Sequence, residues 1–285
     1  PAPSAPPGLP CGGATAVLLV PAARDPAQRP DRLRRYGSAV GELGGRFLTG
    51  PDVGTSPRDM DLIAETAGQH VFCRTAEAGG AGDPGPYTAL GVFTAIEAIC
   101  ERIPIPLDGA KVVVQGAGDV GGPLIERLLN AGADVVFSDV SDAVVGRYRD
   151  EMGVDFVPPE DAVSTQCDVF APCALGGVLN PDTIPQLRCR AVAGSANNQL
   201  ADPSDAERLR QRGILYAPDF VANVGGAMAM PGIEALGWTR EQAAKEVREY
   251  VGRTLREVFE TAASGQISTD AAARRMAEAR LAAAG

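Results

Sequence analysis

Three glycines and one carboxylate are the residues best spaced to do chemistry in this chain of 285 residues. Gly116, Gly118 and Gly121 form G-x-G-x-x-G, with Asp119 and Val120 between the last two glycines. Asp139 follows about twenty residues further on, just before Val140. In such a turn the first glycine permits tight folding, the second lets backbone approach a pyrophosphate, and the third lets a helix pack closely. Free N–H groups at the start of that helix attract phosphate charge. Asp139 can accept hydrogen bonds from both ribose hydroxyls and would repel a 2′-phosphate, which favours NAD over NADP. The spacing alone is weak evidence, because 34 glycines generate it by chance. A purely structural glycine turn is the alternative.

The surrounding elements decide between the two. Residues 112–114 (VVV) read as a buried strand directly before the turn. Residues 123–129 read as a helix with Leu124, Ile125, Leu128 and Leu129 on one face, and 135–137 (VVF) as a second strand ending at Asp139. Strand, glycine turn, helix, strand and acid follow the order of a dinucleotide-binding βαβ unit.

The rest of the chain extends this pattern. An amphipathic helix is expected over 31–43, with Leu33, Tyr36, Val40 and Leu43 inward, and strands over 16–20 and 46–49. Ser56 reads as an N-cap with Asp59 three residues on, opening a helix to about residue 66. Residues 76–86 (AEAGGAGDPGP) form a linker, and 88–102 a long apolar helix. Beyond Asp139, helices are expected over 143–151, 159–164, 181–187 and 203–212, and strands over 168–171, 190–193 and 214–216. Alternating strands and helices predict an α/β fold with a doubly wound parallel sheet. Residues 227–236, 240–263 and 269–284 all read as helix.

Composition narrows the classes. With 26 basic and 36 acidic residues the formal charge is −10, and no basic cluster suggests nucleic acid. No apolar run is long enough for a membrane span. Residues 1–10 lack a signal-peptide pattern, and the chain begins without methionine, consistent with a start further upstream. Six scattered cysteines without C-x-x-C read as reduced thiols of a cytoplasmic protein. His70, the only histidine, has no recognisable metal-ligand companions and reads as structural, so no metal is expected.

Five stretches together resemble the Glu/Leu/Phe/Val amino-acid dehydrogenase family, most nearly its leucine and phenylalanine members. They are residues 50–55 (GPDVGT), 82–89 (GDPGPYTA), 171–177 (APCALGG), 194–200 (GSANNQL) and 216–226 (YAPDFVANVGG). The resemblance implies a smaller α/β substrate domain over 1–86, an NAD-binding Rossmann domain over 87–226, and C-terminal helices over 227–285 packing back on the substrate domain. It further implies that Thr88 and Asn223 contact the nicotinamide carboxamide. Cys173, Ala174, Ala196 and Asn197 would pass the nicotinamide ribose. Gly12, Gly13 and Asn223 would line the substrate site, with Asp52 and the residue at position 15 catalytic. A small-molecule substrate and a homo-oligomer are the partners implied.

One departure from the family matters chemically. Family members carry a catalytic lysine in a G-G-G-K turn, whereas Thr15 ends the matching turn here, and Pro3 falls where a second, carboxylate-binding lysine would stand. The chain's lysines, Lys111 and Lys245, lie elsewhere. Threonine has no charge and no useful acidity near pH 7, so a general acid–base contribution of about 10²- to 10⁴-fold is lost. Three functions remain open. They are a divergent NAD-dependent oxidoreductase relying on Asp52, an enzyme using NAD redox-neutrally for cyclisation or elimination, and an inactive NAD-binding homologue.

Overall fold

Buried β-branched runs nucleate the sheet. In the computed structural model, which describes residues 16–19, 25–52 and 54–284, strand β1 (Lys111–Gln115) carries Val112, Val113 and Val114 with no exposed surface. A strand covered on both faces needs such a run rather than alternation. Five further strands join it: β2 (Asp134–Ser138), β3 (Asp155–Phe156), β4 (Val169–Pro172), β5 (Ala191–Val192) and β6 (Leu215–Tyr216). Every pairing is parallel, and the order is β3-β2-β1-β4-β5-β6. The winding direction reverses at β1, between β2 and β4. In register, Gln115 lies beside both Ser138 and Pro172. The segments following β1, β2 and β4 therefore leave the sheet at one edge, which begins with Gly116, Asp139 and Cys173.

Residues 85–226 and 244–285 form one compact unit around this sheet. Helix α3 (Gly85–Arg102) is largely buried, and α4 (Gly121–Asn130) buries Leu124, Ile125 and Leu128 completely. Leu129, expected on the same face, is 37% exposed. Helix α5 (Asp142–Val145) runs on into a π-helical turn (Gly146–Glu151) whose Tyr148 ring packs edge-on against Phe137. The helix expected over 159–164 is a set of turns in which the Ser164 and Thr165 hydroxyls donate to the Asp161 carbonyl. That expected over 181–187 shrinks to a 3-10 turn (Ile184–Gln186). There the Asn180 side chain accepts from the N–H groups of Asp182 and Thr183. In both places short polar side chains satisfy the backbone locally and compete with the helix. Helices α6 (Asp205–Gln211) and α7 (Asp219–Ala222) precede and follow β6.

Residues 1–84 and 227–243 form the other unit, in so far as they are described. Helices α1 (Arg29–Glu42) and α2 (Pro57–Ala67) close over Leu33, Val40, Met60, Ile63, Ala67 and Val71. The strand expected over 46–49 reduces to a single bridge between Thr49 and Val71. Residues 16–19 are not a strand either: they pair with no strand among the described residues, and Val17 and Leu19 are 79% and 93% exposed. A β-branched run becomes a strand only where a neighbour completes its ladder and covers its side chains. Val20 lies outside the described residues. No helix among those described is long and apolar enough to cross a membrane.

The C-terminal helices divide. Helices α8 (Gly225–Leu236), α9 (Arg240–Gly265) and α10 (Thr269–Ala284) match the expected pattern. The division between the two units falls within α9: residues 227–243 belong to one and those from 244 onward to the sheet-containing one. Arg248 and Arg256 on α9 each grip a glutamate of α3, Glu97 and Glu101, with both carboxylate oxygens engaged.

The Ser56 capping box is present in full: Asp59 N–H donates to the Ser56 hydroxyl, and Ser56 N–H donates to Asp59 (2.8 Å). Arg29 adds two hydrogen bonds to the same carboxylate, at 3.0 and 2.9 Å. Burial alone would push Asp59 upward, but its bonds to Arg29 and Ser56 outweigh that and hold it below the ordinary carboxylate range. A lowered acid contributes stability at neutral pH that is lost as pH falls below about 4. We expect Asp59→Asn to cost about 1 kcal/mol at pH 7, and the difference from wild type to shrink towards about pH 2. Urea unfolding across that range checks both.

Candidate functional site

The glycine turn sits where the winding of the sheet reverses. Gly116 has φ of +93°, in the region that favours glycine, and its N–H donates to the Ser138 carbonyl at 2.7 Å. A Cβ on Gly116 would lie 2.9 Å from Ala174. A Cβ on Gly121 would lie 1.8 Å from the Gly116 carbonyl oxygen, so α4 begins in direct contact with the turn. A Cβ on Gly118 would meet nothing within 4 Å. Helix α4 has Val120 at its N-cap and no side-chain cap; in its first turn Gly122 N–H donates to the Gly118 carbonyl (2.9 Å), and Pro123 has no N–H. Asp119 is exposed and Val120 half-buried.

Asp139 closes the other side. One carboxylate oxygen accepts from Ala117 N–H and the other from Ser141 N–H, each at 2.8 Å. Each oxygen keeps a further lone pair, and the residue is half-buried. Val140 beside it is 88% exposed.

A second cluster forms beyond β4, β5 and α7. Cys173 N–H donates to the Gln115 carbonyl (2.7 Å), and Ala196 N–H to the Pro172 carbonyl (3.0 Å). Burial pushes the Cys173 thiol up, opposed by a hydrogen bond with Ser195. The Asn223 amide donates to the Asn197 side-chain oxygen (2.7 Å) and the Ser195 carbonyl (3.1 Å). The Thr88 hydroxyl accepts from Gly226 N–H at 3.2 Å. The structure thus brings Asn197 and Asn223 into contact, and sets Ala174 against Gly116. Sequence reasoning missed Asp219, which accepts from Asn198 N–H (2.7 Å) and from the Tyr216 hydroxyl (3.0 Å). Its signal was an acid at the head of a short helix, inside the stretch that contains Asn223.

Asp52 lies in the other unit, exposed, in a loop where its N–H donates to the Thr55 hydroxyl and its carbonyl accepts from Thr55 N–H. Gly12, Gly13 and Thr15 lie outside the described residues.

An uncapped helix start, open space before Gly118 and a fixed carboxylate at the neighbouring strand end fit the pyrophosphate and ribose of a dinucleotide. With a parallel sheet of this order, they define a Rossmann-type, doubly wound dinucleotide-binding protein. Comparison with known proteins narrows the class. The family model described as Glutamate/Leucine/Phenylalanine/Valine dehydrogenase matches residues 79–155 and 138–285. Leucine dehydrogenase of Geobacillus stearothermophilus is 38% identical over 276 residues, 96% of this chain and 74% of that protein. The crystal structure of L-tryptophan dehydrogenase from Nostoc punctiforme is 39% identical with a TM-score of 0.73, covering 88% of this chain and 72% of that one. The hetero-hexameric glutamate dehydrogenase of Thermus thermophilus, in its leucine-bound form, has a TM-score of 0.80 at 26% identity, covering 94% and 71%. The chain belongs to the Glu/Leu/Phe/Val dehydrogenase family, and the class of enzyme this defines is a dehydrogenase-like oxidoreductase using a nicotinamide dinucleotide.

The two inner glycines separate packing from ligand access. Gly121→Ala is expected to cost about 1–3 kcal/mol, since its Cβ meets rigid backbone. Gly118→Ala is expected to stay within about 0.5 kcal/mol of wild type. Thermal unfolding of the two variants checks the contrast.

Proposed function

We propose that this chain binds NAD and transfers hydride between it and an amino-acid- or imine-like small molecule. The observation carrying this is Asp139, fixed by Ala117 and Ser141 N–H groups at the end of β2 beside the glycine turn. Its negative charge suits a ribose diol and opposes a 2′-phosphate. Backbone N–H groups from Gly118 to Gly121 would hold the pyrophosphate. Thr88, Cys173, Ala174, Ala196, Asn197 and Asn223 would orient the nicotinamide end. Bound there, NAD supplies the hydride acceptor. Fixing the orientation of both reacting carbons converts a bimolecular encounter into an intramolecular one.

Asp52 is the proposed acid–base group. A carboxylate placed against the reacting atoms can take up a proton and return it. Thr15, in the lysine's place, is the observation favouring a second function: NAD used redox-neutrally, or bound without turnover. A homo-oligomer with no nucleic-acid partner completes the proposal, in keeping with the net charge of −10.

The test follows NADH absorbance at pH 7–10 with NAD and a panel of L-amino acids. Wild type, Asp52→Asn and Thr15→Lys are compared. Turnover by wild type that Asp52→Asn abolishes, with NAD binding kept, supports the proposal. Turnover by Thr15→Lys alone favours the second function. In titrations, NADPH is expected to bind about tenfold or more weaker than NADH, as one charge repulsion predicts. Asp139→Ala should narrow that gap.

A further inference from the structure

Asn197 and Asn223 meet only because two separate chain segments are held in register, and one residue touches both. Asp219 opens α7, and its backbone carbonyl accepts the N–H of Asn223 at 2.8 Å, at the helix's other end. Its side chain reaches the other segment, where one carboxylate oxygen accepts the N–H of Asn198 at 2.7 Å. Asn198 has φ of +52°, left-handed backbone that asparagine adopts more readily than most residues. The bond from Asp219 holds it in that conformation. Asn197 immediately precedes it, and the Asn197 side chain meets Asn223 at 2.7 Å. The links run from Asp219 to Asn198, along the chain to Asn197, across to Asn223 and back to Asp219. A closed ring of this kind leaves neither asparagine free to swing.

The second carboxylate oxygen accepts the Tyr216 hydroxyl at 3.0 Å, and the Tyr216 oxygen in turn accepts Asp219 N–H at 3.2 Å. Tyr216 is 2% exposed and Asp219 is buried. Burying a carboxylate is costly unless each oxygen finds a donor, and both do here.

We infer that Asp219 is a positioning residue for the nicotinamide end of the site, holding Asn197 and Asn223 in the relation that receives the ring. The inference rests on the dinucleotide-binding proposal above and deepens it. What the ring requires of position 219 is two polar atoms in place rather than a negative charge. Asparagine can supply them, because its oxygen accepts from Asn198 N–H while its amide donates to the Tyr216 oxygen, which has a spare lone pair. Alanine cannot.

Two ligands separate this role from a general structural one. ADP contains the adenosine and pyrophosphate of NAD but neither the nicotinamide nor the ribose that carries it. Calorimetric titration of the full chain with NAD and with ADP is carried out for wild type, Asp219→Ala, Asp219→Asn and Tyr216→Phe. Asp219→Ala is expected to weaken NAD about tenfold, the loss associated with one hydrogen-bonded contact, and to leave ADP within about twofold. Asp219→Asn should restore most NAD affinity. Tyr216→Phe, which removes one anchor of the carboxylate, should show the same selective loss at smaller size, and it carries the test if Asp219→Ala fails to fold. Equal weakening of both ligands, or no change in NAD affinity in Asp219→Ala and Tyr216→Phe, overturns the inference while the dinucleotide proposal stands. Failure of wild type to bind either ligand overturns both.

Discussion

The contact between α4 and the end of β1 is the constraint on which the cofactor side of the molecule depends. With a virtual Cβ of Gly121 only 1.8 Å from the Gly116 carbonyl oxygen, no side chain fits between helix and turn. Backbone meets backbone, and the first-turn N–H groups of α4 are brought to the edge of the sheet. Cys173 and Ala174 are drawn into the same arrangement. The virtual Cβ of Gly121 lies 3.3 Å from the Cβ of Cys173, and that of Gly116 lies against Ala174. Three chain segments thus share one corner with almost no spare volume. The parallel register that sets Gln115 beside Ser138 and Pro172 delivers the acid and the thiol to it.

The parts legible in the sequence were those in which one local signal decides the structure. A run of three valines between polar residues became a buried strand, and a Ser-x-x-Asp pair became a capping box with both bonds made. G-x-G-x-x-G became a turn in which Gly116 takes a left-handed backbone and Gly121 lets the helix meet the turn. Asp139 stands beside that turn because its spacing is set by the length of one helix and one strand.

What escaped depends on partners far away in the sequence. Residues 16–19 have the composition of a strand but no ladder among the described residues, so propensity alone misled. Residues 181–187 carry helical periodicity, yet Asn180 offers its backbone neighbours a nearer acceptor than a helix would. Asp219 was overlooked because an acid after proline reads as an ordinary helix start. Its carboxylate turns away from its own helix towards Asn198, 21 residues earlier in the chain. The side-chain partners of the far C-terminal helices are equally distant in the sequence. Nothing local distinguishes an arginine facing solvent from Arg248 or Arg256 gripping a glutamate of α3.

The strands differ in length across the sheet, and so do the supports of the two clusters. The glycine turn and Asp139 follow strands of five residues, whereas Asn197 and Asn223 follow β5 and β6, each of two. Fewer ladder bonds have to break for the short strands to open locally, so their amides exchange with solvent at lower free-energy cost. The sheet is graded in stiffness, firm at its centre and compliant towards both edges, where β3, β5 and β6 have two residues each. An anchor for phosphates gains from rigidity. The flank that would receive a planar ring undergoing chemistry can instead adjust between the oxidised and reduced forms of that ring, with the side-chain ring around Asp219 limiting how far it yields.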